Sequence, residues 1–509
     1  TKYIITLPGE TFESGKGNTG TPTNQTAGTT FQIRVRYVDQ FNNLITGSSG
    51  TGTPNLVFSG PNCPDCTSNK PTFNGTPYTD CTSNKQSQIS ASFSNGVSDP
   101  INVTLYKSET IAINVIKSDD TTITGTSSQF NVVGSTLKNF SIKKLDDNNL
   151  SGTFTAGETI GIKIKALDEY CNPTKITGTV DLILLDDSNN PVSPPPLTTN
   201  AISTTSVTFS NESEKVIFDF KIYRANDTIF TNDLKIRAKL RGSTEYGDSG
   251  TFNVNCNVHK KFIFDNIPSP QFINEEISIT IKATDEWGNI CDGSYESISY
   301  GGKADLSTNI GSETISPANT KKFVDGEITL KVKINQPGTS VTITAKDQSD
   351  PSKSGTSNPF AVFGNLASFE ISYIGDQTIN NPFTVTIKAK DSAGNVLTQG
   401  PNANITVNLS AEGSVSSHTV TPDSATLNGG IWTGNIIVNS PDPRVRIIIT
   451  NESESVISYS NYFRLSDSVP SSFDFDTISS PKIAGTPFSI TVRAVDYYSS
   501  PVTNYNGTA

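Results

Sequence analysis

The sequence predicts an all-β chain built from a repeated two-sheet sandwich. Three observations carry that prediction. Apolar and polar residues alternate through a nine-residue stretch that recurs five times. The segments between recurrences are rich in Gly, Pro, Asn and Ser, the residues that turn a chain. No convincing amphipathic helical stretch occurs between them.

The recurring stretches are "FQIRVRYVDQFNN", "IGIKIKALDEYCN", "ISITIKATDEWGN", "FTVTIKAKDSAGN" and "FSITVRAVDYYSS". They align on Asp39, Asp168, Asp285, Asp391 and Asp496. Eight residues before each Asp stands Phe31, Ile160, Ile277, Phe383 or Phe488, and six before stands Ile33, Ile162, Ile279, Val385 or Ile490. Four before stands Val35, Ile164, Ile281, Ile387 or Val492, and two before stands Tyr37, Ala166, Ala283, Ala389 or Ala494. Period-two alternation of this length means a strand with one face in a core and one in water. The base three residues before each Asp (Arg36, Lys165, Lys282, Lys388, Arg493) falls on the wet face, where a solvated cation is expected.

Each Asp shares the buried parity but follows the last buried position, so it sits at the strand's end, at a pole of the sandwich. The expected role is an Asx-type turn closed by the carboxylate, with Gly-Asn or its equivalent completing the turn. The alternative is a calcium site at the junction. Calcium wants six or more oxygens, and one Asp plus one Asn supplies too few without a neighbouring unit.

Successive aspartates are 129, 117, 106 and 105 residues apart. About 100 residues is the size of a seven-stranded immunoglobulin-like sandwich. Phe-centred strands open the later units ("NFSIKKL", "KFIFDNI", "SFEISYI", "SFDFDTI"), and a strong alternating strand lies late in the complete ones ("VIFDFKIY", "EITLKVKI", "WTGNIIV"). The predicted division is 1–135, 136–258, 259–365, 366–466 and an incomplete fifth unit, 467–509. Very short linkers restrict bending, so the expected arrangement is end to end, a semi-rigid rod.

"KATDEWGNI" and "KAKDSAGNV" resemble a pattern of bacterial immunoglobulin-like repeats in large cell-surface proteins, including invasin-type adhesins and surface-layer proteins. In that pattern a strand ends in Ala-x-Asp, a Gly-Asn turn follows, and the next strand opens with Val or Pro. "RYVDQFNNL" and "RAVDYYSSPV" depart from it at the Gly-Asn. The resemblance covers nearly the whole chain and implies tandem sandwiches at a cell surface. It names no ligand, because one sandwich fold hosts many functions.

The first unit carries a turn-rich insertion with a small duplication, "DCTSNKP" from Asp65 and "DCTSNKQ" from Asp80. A disulfide-pinned surface excursion is the simplest reading, and loops on a rigid scaffold are where binding tends to reside. The second unit carries "NNPVSPPPL", a stiff crossing more suited to a spacer than to recognition.

The cysteines are Cys63, Cys66, Cys81, Cys171, Cys256 and Cys291, an even number that fits disulfides in an oxidising compartment. Zinc is the weaker reading: Cys63-Pro-Asp-Cys66 has a ligand-like spacing, but no second such pair follows. Cys256 ends the second unit's last strand and Cys291 follows the Asp285 turn, so in an end-to-end stack the two meet and bond. Cys171 occupies the matching turn of unit two and faces unit one. Its partner is Cys63, Cys66 or Cys81, the other two pairing together.

The 509 residues carry a net charge of -11 and no Met. A start after removal of a secretory signal peptide is expected. Thinly spread Lys and Arg argue against nucleic acid as a partner. No run of 18 apolar residues marks a transmembrane segment in this piece. His259 and His418 lie near no motif that pairs a nucleophile with an orienting acid, so no catalytic residues and no enzyme are expected. Trp287 is expected to pack between units and Trp432 to join a core. Sequons at Asn74, Asn102, Asn139, Asn211, Asn226, Asn404 and Asn451 permit glycosylation without showing it. The closing stretch from Pro487 reads as the second strand of a sandwich and the start of a third. Continuation past Ala509 is expected, with strand addition by another subunit as the alternative. The function expected is an extracellular structural protein, a surface-layer or fibre subunit whose partner is itself. An adhesin stalk is the alternative, and a non-catalytic carbohydrate-binding region, with cell-wall or host glycans as partners, is the second.

Overall fold

A computed structural model of the chain describes residues 1–226, 233–293, 299–311, 313–414, 417–467, 469–499, 501–502 and 505–508. Among them the only helical element is a single 3-10 turn, Gly47–Gly50; the rest is strands and turns. No helix among the described residues is long and apolar enough to cross a membrane, which says nothing of a β-barrel. Every described strand pairing falls inside 2–133, 139–255, 261–363, 368–466 or 472–495. The chain forms two compact units, Thr1–Val258 with Asp285–Ile298, and His259–Thr284 with Ser299–Ala509.

In the first unit, the recurring strand Thr30–Val38 lies between Lys2–Thr6 on one side and Val97–Ser98 and Ile101–Thr104 on the other. The second sheet of this module places Asn114–Lys117 between Asn55–Ser59 and Asp120–Thr126. The next module repeats the plan. Thr159–Leu167 runs between Asn139–Lys144 and Glu214–Lys221, and Ile176–Asp186 runs between Ser206–Glu212 and Leu234–Leu240. In the second unit, Ile277–Thr284 lies between Lys261–Phe264 and Glu327–Ile334, and Phe383–Lys390 between Ser368–Ile371 and Ile431–Val438.

The recurring strand therefore sits centrally in one sheet of each complete module, and its apolar face is buried as the alternation demands. Ile160, Ile162, Ile164 and Ala166 are buried, as are Ile277, Ile279, Ile281 and Ala283. Each large side chain so buried contributes about 1.5–3 kcal/mol by area. The basic residue on the wet face often meets an acid on the neighbouring opening strand or the turn beyond it. Lys282 reaches Asp265 at 2.7 Å and Lys388 reaches Glu370 at 3.3 Å. Such exposed pairs add little to stability.

Three expectations need correcting. Phe488, Ile490 and Val492 are 49, 52 and 38% exposed, and only Val492–Val495 of that stretch pairs, with Ser472–Phe475. A two-stranded sheet has no opposing layer, so alternation alone buries nothing there. The first module's insertion is more than a surface excursion. Its aromatics Phe73 and Tyr78 are buried, and the Phe73 ring stacks on Phe58 at 4.5 Å. Trp432 is only partly buried, packed against the edge of the fourth module's core.

His259 is buried, its ring centroid 4.7 Å from Phe262 and 4.2 Å from Tyr300. Burial pushes its pKa below the ordinary histidine value. The folded chain thus resists a proton that the unfolded chain accepts. Stability from this site is present above the ordinary histidine pKa and lost as pH falls through it. Thermal melts between about pH 8 and about pH 5 should show a fall that is shallower in His259→Gln.

Candidate functional site

The strand-end aspartates form a recurrent polar clasp. Asp168 is fully buried, and its Oδ1 accepts the backbone N–H groups of Tyr170 at 2.9 Å and Asn172 at 2.8 Å. Its Oδ2 accepts the side-chain amide of Asn172 at 3.0 Å and the N–H of Ser135, in the entering linker, at 2.8 Å. Asn172 then reaches the preceding module: its amide donates to the Tyr106 carbonyl at 2.7 Å, and its Oδ1 accepts the Ser108 N–H at 2.7 Å.

The same contacts recur around Asp285. Its Oδ1 accepts the N–H groups of Trp287, Gly288 and Asn289, each at 3.0 Å, and its Oδ2 accepts the Asn289 amide at 2.8 Å and the Asn257 N–H at 3.1 Å. Asn289 donates to the Tyr223 carbonyl at 2.7 Å and accepts from the Ala225 N–H at 2.9 Å. Around Asp391, Asn395 donates to the carboxylate at 2.7 Å and to the Val362 carbonyl at 3.1 Å, while Gly364 N–H donates to Asp391 at 2.8 Å. Asp496 accepts the Tyr498 and Asp467 N–H groups at 2.9 and 3.0 Å. The fifth copy's fourth residue after Asp, Ser500, lies outside the described residues. At Asp39 only the local turn is closed, by Phe41, Asn43 and the Asn43 amide, and Phe41 is 66% exposed.

Each carboxylate is therefore surrounded by N–H donors. That arrangement holds an anion, and the same oxygens that calcium would need at Asp39, Asp168, Asp285, Asp391 or Asp496 already accept hydrogen bonds. No group of three or more His, Cys, Asp or Glu among the described residues could hold a metal ion. Burial pushes the Asp285 pKa up, opposed by its hydrogen bonds, whereas the Asn43 amide helps hold Asp39 below the usual range.

Apolar contacts accompany the clasp. Tyr170 packs on Gly28 and lies edge-on to Tyr106 at 5.1 Å; Trp287 packs on Gly157 and stacks on Tyr223 at 5.8 Å. Both glycines have left-handed backbones, φ +77° and +74°, and a Cβ at either would collide with the ring. After Asp391 the residue in that place is Ala393, and the contact is reversed: Phe272 of the preceding module packs on Gly400 of the following one. The Pro-rich crossing supports the second junction, where Leu197 N–H donates to the Trp287 carbonyl at 2.9 Å.

All six cysteines are bonded: Cys63 to Cys81, Cys66 to Cys171, and Cys256 to Cys291. The second bond ties the insertion of the first module to the clasp turn of the next. The third ties the end of the second module to the segment after Asp285. Of the sequons, Asn226 and Asn451 are buried and structurally engaged: Asn226 accepts the Val254 N–H at 2.6 Å and Asn451 that of Glu454 at 2.9 Å. A glycan on the buried Nδ2 of either would displace the packing around it. Asn74, Asn102, Asn211 and Asn404 are exposed and Asn139 is half-buried.

The asparagine of the clasp is the residue that sequence reasoning missed. Its signal was present, since Asn43, Asn172, Asn289 and Asn395 each stand four residues after the Asp. A Gly-Asn turn explains that spacing locally and conceals its reach into the preceding module.

No family model matches the sequence, and no curated protein does. Among solved structures, the chain aligns with FdeC, an Escherichia coli adhesin, at 14% identity over 65% of this chain and 99% of that one, TM-score 0.24. It aligns with the surface-layer protein rSbsC(31-844) at 13% identity over 100% of this chain and 59% of that one, TM-score 0.23. It aligns with the D0–D1 domains of intimin at 12% identity over 40% of this chain and 97% of that one, TM-score 0.17. Likenesses of this size assign no role to the chain.

Two outcomes test the junction chemistry. Asn289→Ala should lower the opening free energy of the Ala225 and Asn257 amides in native-state hydrogen exchange by about 1–3 kcal/mol, because it strands buried polar groups. Asn43→Ala, at the exposed turn, should leave both amides within about 0.5 kcal/mol. Peptide mapping without reductant should recover the three bonds and no thiol. Loss of Cys66–Cys171, which spans a separation of 105 residues, should cost about 4–5 kcal/mol on the chain-entropy account.

Proposed function

We propose that this chain is an extracellular structural protein of a cell surface, a surface-layer or fibre subunit that works by self-association. The observation that carries this reading is the repeated clasp. The buried chemistry that recurs along the chain fastens one module to the next, through backbone groups, a shared asparagine and, twice, a disulfide. Three disulfides suit an oxidising compartment, and an acidic, thinly charged surface suits exposure outside the cell. Heterologous contacts between identical subunits propagate into fibres or sheets unless the rotation closes.

A stalk for an adhesin is the second reading. The same clasps favour it, since fastened modules hold a tip at a fixed distance whether or not the chain self-associates. Negative-stain electron microscopy of the purified chain separates the two. Ordered sheets or fibres are expected, together with concentration-dependent sedimentation. Isolated particles of one mass at every concentration would sink the self-association reading and leave the stalk.

A further inference from the structure

A groove of about 920 Å³ lies where the first two modules meet, bounded by the turn around Gly28, by Ser108 and Tyr170, and by the linker through Thr136. That volume falls in the range of small-molecule and cofactor sites. The walls are fixed by the clasp. Ser108 donates its N–H to Asn172, Ser135 donates its N–H to Asp168, and the Thr174 hydroxyl bonds the Ser135 carbonyl. The Cys66–Cys171 bond pins the turn next to Tyr170 from the other side. A ligand entering the groove therefore meets prearranged groups and loses little affinity to ordering them.

The lining selects a ligand class. Thr26, Thr29, Ser108, Ser135 and Thr136 supply hydroxyls, which can donate and accept, whereas the Thr174 hydroxyl already donates to Ser135. Glu169 and Lys175 supply one carboxylate and one ammonium. A lining with a single cation and a single anion makes a poor phosphate site, which needs clustered Lys and Arg. Ala27, Val133, Leu137 and Pro173 add apolar surface among these polar groups, on which the C–H face of a sugar ring can pack. Hydroxyl-bearing walls with a single acid, a single base and a tyrosine match a neutral polyhydroxylated molecule. The geometry points to an oligosaccharide site at this junction, with Glu169 accepting from sugar hydroxyls and Lys175 donating to them. It does not depend on whether the chain self-associates.

The test uses the whole chain and an array of neutral oligosaccharides of about three to six units, followed by calorimetric titration with the strongest binder. Binding is expected, weakened at least about tenfold by Thr136→Trp, which fills the groove, and by Glu169→Ala, which removes the acceptor. Melting temperatures of both variants report whether the fold survives, and the Glu169 change keeps the test open if the Trp variant misfolds. Absence of binding to every neutral oligosaccharide overturns the inference, as does binding that both folded variants retain in full.

Discussion

A buried carboxylate at the end of a strand is the constraint around which the junctions are built. Asp168 and Asp285 have no exposed surface. Removing a carboxylate from water is costly unless hydrogen bonds replace the lost hydration. At Asp39, which stays partly exposed, the N–H groups of the following turn and the Asn43 amide suffice. Full burial requires more. The additional donor comes from the linker, and the asparagine that shares the carboxylate finds its own remaining partners on the preceding module. Closing the turn and docking the neighbour are thus one event, because neither leaves its polar groups satisfied alone. The raised pKa of Asp285 shows that burial still outweighs the hydrogen bonds at that site.

Around this polar centre the junctions differ in what else holds them. The first two add an aromatic ring over a left-handed glycine and a disulfide. The ring supplies area and shape, the clasp supplies direction, and the disulfide limits how far the unfolded chain can separate the pieces. The Asp391 junction has neither a cysteine nor an aromatic in its turn, and it relies on Phe272 instead. The polar core is shared by Asp168, Asp285 and Asp391, and what surrounds it differs.

The sandwich was legible in the sequence because alternation is a direct image of burial. Ile162, Ile164, Ile279 and Ile281 lie at the parity that the pattern requires. Phe488 and Ile490 keep the alternation but stay exposed. The pattern states which face would be buried, but an opposing sheet must exist to bury it. The insertion hid its contribution for a related reason. Phe73 and Tyr78 stand among turn residues with no period around them, and long-range contacts place them in the core: Phe73 pairs with Val103 and stacks on Phe58, and Tyr78 stacks on Phe73. Asn172 and Asn289 were misread as local because a side chain that completes its own turn gives no sequence sign of a partner 66 residues upstream.

The reversed contact at Asp391 bears on how such a chain can be extended. At Gly28 and Gly157, left-handed positions before the recurring strand, the next module presents a ring. Where that position is Asn274, φ +61°, a Cβ occupies the space, and the next turn carries Ala393 and Gly394. The ring then comes from the other side, as Phe272 on Gly400. A ring packs closely on a backbone only where no Cβ intervenes, and the Asp168, Asp285 and Asp391 junctions each use one glycine, but not on a fixed side. The clasp itself uses mainly backbone groups of the preceding module, which any sequence supplies. At Asp168, Asp285 and Asp391 the Asp, its Asn and a ring–glycine match recur while the surrounding surfaces differ.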